Sequence, residues 1–416
     1  MLRKIGLLIF WTVSIFWLNL IVPTFILPFL FILYMMWNNK EVIQFKPNQE
    51  FSTKDENGKS APWYNNYIVH ASGMVVYFHG FFAYMFYDYQ FYPVRDKGNV
   101  FIDVFVKVLW GCGTSTLCVM VGRNFAETLK EKNIDFILKK KIIPYIKLTL
   151  MIIPINILLW FGLTKFYPEL DNNPALHHLF FRFFHLWFFI YLVGYYILTY
   201  FMVKFLSLDF LISIIKIIKK NLGLCPDLFL FLITALFLLT SSFKGVVGNP
   251  AGLNSIDPFI FLNFFVMFLF GTLTAELKNY SISYGKFLAY VVGTILSLLF
   301  LYSVYFAPTD PNTESAKWFL IAIASSVFCV TQQNVIISMC CIFFSKRNAI
   351  LDFMRPASLM MFCFNLPVVV LLQVWFKKTD LSIPVKIILI NYFTWFIFIL
   401  LSVLFKIGSK KLIKKH

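Results

Sequence analysis

Three residues in this 416-residue chain stand out as candidates for chemistry: His79, Arg182 and His185. Arg182 and His185 open the stretch RFFHLWFFIYLVGYY (182–196) and lie three positions apart, close to one face of a helix. His79 belongs to YIVHASGMVVYFHGFFAYMFYDY, which also carries His70, with Asp88 near its far end. An imidazole titrates near neutral pH, so it can take a proton from a hydroxyl. A guanidinium one turn away can hold a carboxylate or steady a developing oxyanion. Each residue also has a purely structural reading. A neutral histidine can donate to a backbone carbonyl between helices, and an arginine can snorkel toward lipid headgroups.

The elements that must position these residues follow from composition. The chain is 59% hydrophobic, 20% aromatic and 14% charged. A soluble domain of this length has too little interior to hide that much apolar surface. Long, nearly uncharged runs fall at 5–37, 67–88, 100–122, 142–164, 179–203, 227–243, 258–276, 287–306, 318–345, 357–376 and 385–405. Each is long enough to cross a bilayer core as a helix. The fold class expected is therefore all-α: a polytopic membrane protein with ten core transmembrane helices. The run 5–37 precedes them. As one straight helix it would reach ~50 Å, against a hydrocarbon core of ~30 Å. Pro23 and Pro28 suggest a hairpin or kinked helix instead. The domain reading is an N-terminal hydrophobic accessory segment (1–45), a polar cytoplasmic linker (46–66), the membrane domain (67–405) and a basic cytoplasmic tail (406–416).

Orientation follows from the loops. The net charge is +17, and the basic residues gather in alternate connections: 123–141, 204–220, KRN at 346–348 and the tail. The intervening loops, including 165–178 and 307–317, carry turn residues and more acid. The positive-inside bias places the basic set, and both termini, in the cytoplasm. The same clustering argues against nucleic acid as a partner. Asp103 and Lys107, four apart within the run 100–122, read as a structural pair on one helix face.

Competing chemistries lack their motifs. The chain has no phosphate-cradling glycine loop and no Gly-x-Ser-x-Gly elbow. The seven cysteines lie in or beside apolar runs without metal-ligand spacing, as small packing residues would. His177 and His178 are adjacent in a polar loop, and two ring nitrogens alone do not make a metal site. No metal or bound cofactor is expected. No cleavable signal peptide is expected either, since the first apolar run is too long for one.

HLWFF at 185–189, followed by YLVGYYIL, resembles the HLWFL segment of the membrane acyltransferase-3 superfamily, nearest its glucan succinyltransferase branch. Other segments resemble that family in order and spacing: the His79 span, LWGCGTSTLCVMVGRNFAETLKEKNIDFILKKKIIPYIKLTLMIIPIN (109–156), DPFIFLNFFVMFLFGTLTAELKN (257–279) and RPASLMMFCFNLPVVVLL (355–372). The resemblance covers about residues 60–405. Three positions depart from it. The family's arginine ten residues before the first-span histidine is Val69 here, beside His70. Its late histidine is Asn365, and its Ser-Gly is Val121-Gly122.

The resemblance implies an O-acyltransferase of a bacterial inner membrane. It would take an acyl group from cytoplasmic acyl-CoA and deliver it to a hydroxyl of an extracytoplasmic glycan or glycolipid. On that reading His79 is the general base and His185 a second proton carrier. Arg182 binds an acyl carboxylate or the oxyanion, and Trp187 walls the pocket. The family's missing arginine is linked to donor use; His70, or Arg123 at the cytoplasmic membrane edge, would take that part. Asp88, near the outer end of the His79 span, is a further substrate-binding candidate. Two other classes stay open: a transporter using the buried His and Arg as a proton relay, and a degenerate, non-catalytic member of the family.

Overall fold

The structure, a computed structural model, describes residues 52–55, 57, 59–84, 94, 96–99, 102, 116–129, 134–171, 187–207, 209–210, 213, 216–217, 258–274, 284–306, 314–343 and 349–413. These residues are helical apart from short turns and a single isolated bridge between Lys54 and Ser60. In chain order the helices are α1 (Pro62–Phe82), α2 (116–129), α3 (Ile134–Phe166), α4 (Trp187–Leu206), α5 (Pro258–Thr274), α6 (Tyr284–Phe306), α7 (Glu314–Phe343), α8 (Ala349–Lys377) and α9 (Ile383–Ile413).

Six of them contain segments long and apolar enough to cross a membrane: Ile134–Phe166, Phe188–Leu206, Phe287–Val304, Phe319–Ser338, Asp352–Lys377 and Ile383–Leu404. The protein is thus a multi-pass helical membrane protein. Its outward faces agree. On α3, Leu150, Met151, Leu158 and Phe161 are exposed along one flank, which water would not tolerate and lipid does. The runs 5–37 and 227–243 lie outside the described residues.

Helix α1 sits at the centre. It packs most extensively on α8 and also touches α7 and α9, while α6 pairs with α7 and α8 with α9. Val69 and Val76 on α1 are fully enclosed, within the same cluster as Phe328 of α7, Leu366 and Val369 of α8 and Ile390 of α9. A second cluster joins α2, α4 and α5 through Phe125, Tyr195, Tyr196 and Phe268. There the backbones meet. A Cβ on Gly122 would stand 2.0 Å from the Phe268 carbonyl oxygen, and one on Gly271 would stand 2.0 Å from that of Val119. The Thr272 hydroxyl crosses the contact to the Gly122 carbonyl at 3.2 Å. Small residues at a close helix crossing are the usual packing solution in lipid, where burial of oil against oil supplies little drive.

Contacts at the helix ends sort the elements by side. At one end the start of α1, the finish of α2 and the start of α3 converge on Thr53, Glu127 and Lys141. At the other end lie the finishes of α1, α3 and α8 and the start of α9. Trp375 of α8 donates its indole N–H to the Tyr167 hydroxyl just past α3 at 2.5 Å. Lys386 of α9 pairs with Asp96, whose own N–H reaches the Ala83 carbonyl just past α1 at 2.9 Å.

Two boundaries differ from the sequence expectation. Helix α1 starts at Pro62, within the stretch expected as linker, and stops at Phe82, with Ala83 and Tyr84 in a turn. Pro62 fits its first turn, where a missing N–H costs nothing. Ahead of it, Thr53 is wholly buried against Glu127, and Lys54 and Ser60 form a bridge, so this part of the expected linker is docked. Helix also extends into 123–141, expected as a loop. Within it a π turn spans Leu138–Ile142, sequence LKKKI. An i→i+5 turn brings residues five apart toward one side. Ile137 and Ile142 both reach the core this way, while Lys139 and Lys140 face outward.

The Lys386–Asp96 pair is short, 2.7 Å, and its side chains are only 6% and 11% exposed. Removing one member leaves the other charge buried without its counter-ion, a loss of ~3–5 kcal/mol. Lys386→Met or Asp96→Asn alone should lower the detergent-solubilised melting temperature clearly. The double variant should recover much of the loss. Equal melting of single variants and wild type would show the pair to be solvated.

Candidate functional site

His79 lies in the last turn of α1, buried, between Phe78 and Phe82. Its Nδ1 meets Oδ1 of Asn365 on α8. The amide of Asn365 is oriented by its other side: Nδ2 donates to the Met361 carbonyl at 2.8 Å and to that of Phe362 at 3.3 Å. Oδ1 is therefore the atom facing the ring, and it can only accept. Nδ1 must carry the proton, which makes Nε2 the basic nitrogen. A carbonyl oxygen fixing one ring nitrogen so that the other can receive a proton is the second-partner arrangement of general-base histidines.

The backbone around His79 is held equally firmly. Gln373, two turns beyond Asn365 on α8, donates Nε2 to the His79 carbonyl at 3.2 Å and to the Gly80 carbonyl at 3.1 Å. These belong to the last helical carbonyls, which have no partner within α1. Tyr84 N–H takes the next, Phe81, at 2.9 Å. At Gly80 the amide of Asn391 on α9 comes so near that a Cβ would stand 3.1 Å from its Nδ2. Three amide side chains, from α8 and α9, thus fix the position of one histidine.

Pro367 belongs to the same construction. It lacks the N–H that would bond the Cys363 carbonyl four residues back. Asn156 of α3 turns its Nδ2 toward that carbonyl, at 3.4 Å. Loss of a ladder bond in α8 is thereby offset from α3, just beside Asn365.

At the opposite end stands a polar cluster. Glu127 is buried and accepts from the Thr53 N–H at 2.7 Å, from the Thr53 hydroxyl, and from Nε of Arg123 at 3.1 Å. Asn124 Nδ2 donates to the Thr53 hydroxyl at 3.1 Å. Lys141 donates to the Asn124 side-chain oxygen at 2.7 Å and to the Thr128 hydroxyl at 2.9 Å. Arg123 is therefore tied through Nε, and Glu127 offsets its charge. Lys139 and Lys140, in the first turns of α3, are exposed.

The other residues singled out from sequence fall as follows. His70 lies within α1, and Trp187 opens α4. Asp88, Arg182 and His185, together with His177, His178 and the Asp103–Lys107 pair, lie outside the described residues. Cys118, Cys329, Cys341 and Cys363 are buried. Among the described residues no three His, Cys, Asp or Glu side chains gather as a metal site.

The sequence reading passed over the amides. Gln332, Gln333 and Asn334 are enclosed midway along α7, Gln373 on α8 and Asn391 on α9. TQQN at 331–334, inside an otherwise apolar run, is the one signal that pointed there.

The chain matches no family model, no curated protein and no solved structure.

Proposed function

We propose that this protein is an integral-membrane O-acyltransferase with His79 as its general base. Its donor is a cytoplasmic acyl-CoA and its acceptor a hydroxyl of an extracytoplasmic glycan or glycolipid. The observation that carries the reading is the His79–Asn365 pair, in which the amide oxygen faces Nδ1 and so makes Nε2 the basic nitrogen of a histidine framed by α8 and α9. The resemblance of HLWFF (185–189) to the acyltransferase-3 superfamily supplies the reaction class. Asn365 stands where that family has a histidine, so the departure from the family pattern falls on the partner of the base.

The layout suits a reaction drawing on both membrane faces. Ten core spans and cytoplasmic termini, in the inner membrane of a bacterium, would set the cluster of Arg123, Lys139 and Lys140 on the cytoplasmic side and His79 toward the outside. The acceptor hydroxyl would give its proton to Nε2 as its oxygen attacks the acyl carbonyl. The thiolate of CoA then leaves and takes up a proton. Arg182 and His185, which precede Trp187 in the sequence, would with it bind the acyl group and oxyanion, with Asp88 and His70 on the acceptor and donor sides respectively.

A transport reading draws on a different observation: Gln332 Oε1 and Gln333 Nε2, midway along α7, are buried without hydrogen-bond partners among the described residues. Sealed proteoliposomes given acyl-labelled acyl-CoA from the cytoplasmic side, with oligosaccharide or glycolipid acceptors on the other, separate the two. Acyl transfer yields label covalently attached to acceptor. Label or sugar that crosses unaltered favours transport and sinks the proposal.

A further inference from the structure

Among the described residues, three polar atoms close to the C-terminal end of α1 are buried without a hydrogen-bond partner: the Tyr84 hydroxyl, Asn391 Oδ1 and Trp395 Nε1. Their residues are 0%, 1% and 8% exposed. They are neighbours by construction. The Asn391 amide abuts Gly80, Tyr84 follows Gly80 by four residues, and Trp395 lies one turn from Asn391 along α9. Tyr84 and Trp395 belong to one packed cluster. Buried polar groups are nearly always paired, so three orphans along one helix junction mark the place of something that pairs them.

We infer that Tyr84, Asn391 and Trp395 form a binding site for a neutral, hydroxyl-bearing ring, that is, a sugar unit of the acceptor. This deepens the proposed function and rests on it. The donor–acceptor inventory selects the ligand class. Asn391 Oδ1 only accepts, Trp395 Nε1–H only donates, and the Tyr84 hydroxyl does both. A ligand serving all three must itself donate and accept, as hydroxyls do. Its neutrality follows from Lys386 and Asp96, which stand at this end and already pair with each other at 2.7 Å. Tyrosine and tryptophan also offer flat apolar walls with one polar handle each. The three residues span roughly two helical turns, ~11 Å, the length of one or two sugar rings. Gly80, against which the Asn391 amide packs, directly follows His79, so the site lies one residue along α1 from the candidate base.

Thermal unfolding of the full chain in detergent micelles, alone and with maltose, cellobiose or glycerol, tests the site. Removing an unpaired buried hydroxyl while keeping the ring is neutral or stabilising. Without sugar, Tyr84→Phe should therefore melt at or above wild type, whereas Trp395→Phe, which also shrinks a buried ring, serves for the sugar dependence only. Wild type should gain a saturable rise with at least one disaccharide. The two variants should need at least tenfold more of it. Unliganded melting of Tyr84→Phe below wild type would show its hydroxyl to be satisfied without a sugar and overturn the site. So would a rise that is absent, non-saturable, or unchanged in the variants. His79→Gln keeps the two readings apart. A sugar-dependent rise that persists beside normal transfer in this variant counts against the base alone, and the site stands.

Discussion

Replacing His79 by Gln should lower the proposed acyl transfer by ~10²–10⁴, the usual worth of a general base. Glutamine keeps a donor for Asn365 Oδ1 and much of the ring's volume, but it has no nitrogen that can take a proton at neutral pH. His79→Ala removes base and packing together and falls to a similar rate, with lower stability. Gln and Ala variants measured side by side therefore separate the roles: similar turnover marks a base, whereas recovery in Gln alone marks a structural donor. Protein yield and donor binding of the Gln variant should stay near wild type, because the Gln373 contacts are to backbone carbonyls that the substitution leaves in place. Near-normal turnover in the Gln variant would remove His79 from the chemistry and move attention to His185.

The second large effect is on folding. Gly271→Val should prevent assembly of α2 against α5, because even a Cβ at this position would overlap the Val119 carbonyl oxygen. Backbone cannot yield as a side-chain tip can, so the helices must separate. Separation would strip contacts from Phe125 and Phe268, which are fully buried at the crossing. The loss should exceed ~4 kcal/mol, the range reserved for a few named kinds of damage. The expected result is a steep fall in folded, monodisperse protein on detergent size-exclusion chromatography. Gly122→Val should match it, since its Cβ would meet the Phe268 carbonyl oxygen equally closely. By contrast, Gly162→Val, with nothing within 4 Å, should leave the profile unchanged. Wild-type behaviour of Gly271→Val would mean that the two helices are not in contact there.

The sequence disclosed the helical membrane class because length and hydropathy act over some twenty residues at a time, and no local accident hides such a run. His79 was legible for a related reason: an ionisable group in an apolar run is conspicuous. Its partners were not. Asn365, Gln373 and Asn391 are uncharged amides, each able to satisfy itself on a carbonyl one turn back, as Asn365 and Asn391 do with Nδ2. Nothing in a sequence distinguishes that local bond from a contact between helices. The helix end at Phe82 was missed because AYMFYDY continues the apolar run that the structure breaks with a turn. The docking of 52–60 escaped notice because a short polar stretch has no periodicity to read. Arg182 and His185, the pair most evident in sequence, lie outside the described residues, so the spatial account of the site rests on His79 and its amide frame.

Acyl transfer to an extracytoplasmic acceptor is most directly tested by mass spectrometry of surface glycans and glycolipids from matched cells. These would express wild-type protein, the His79→Gln variant or neither. The account predicts one glycan or glycolipid species heavier by a single acyl group in wild-type cells. That species should be missing from cells lacking the protein and strongly reduced with His79→Gln. Identical glycan and glycolipid masses in all three would contradict it.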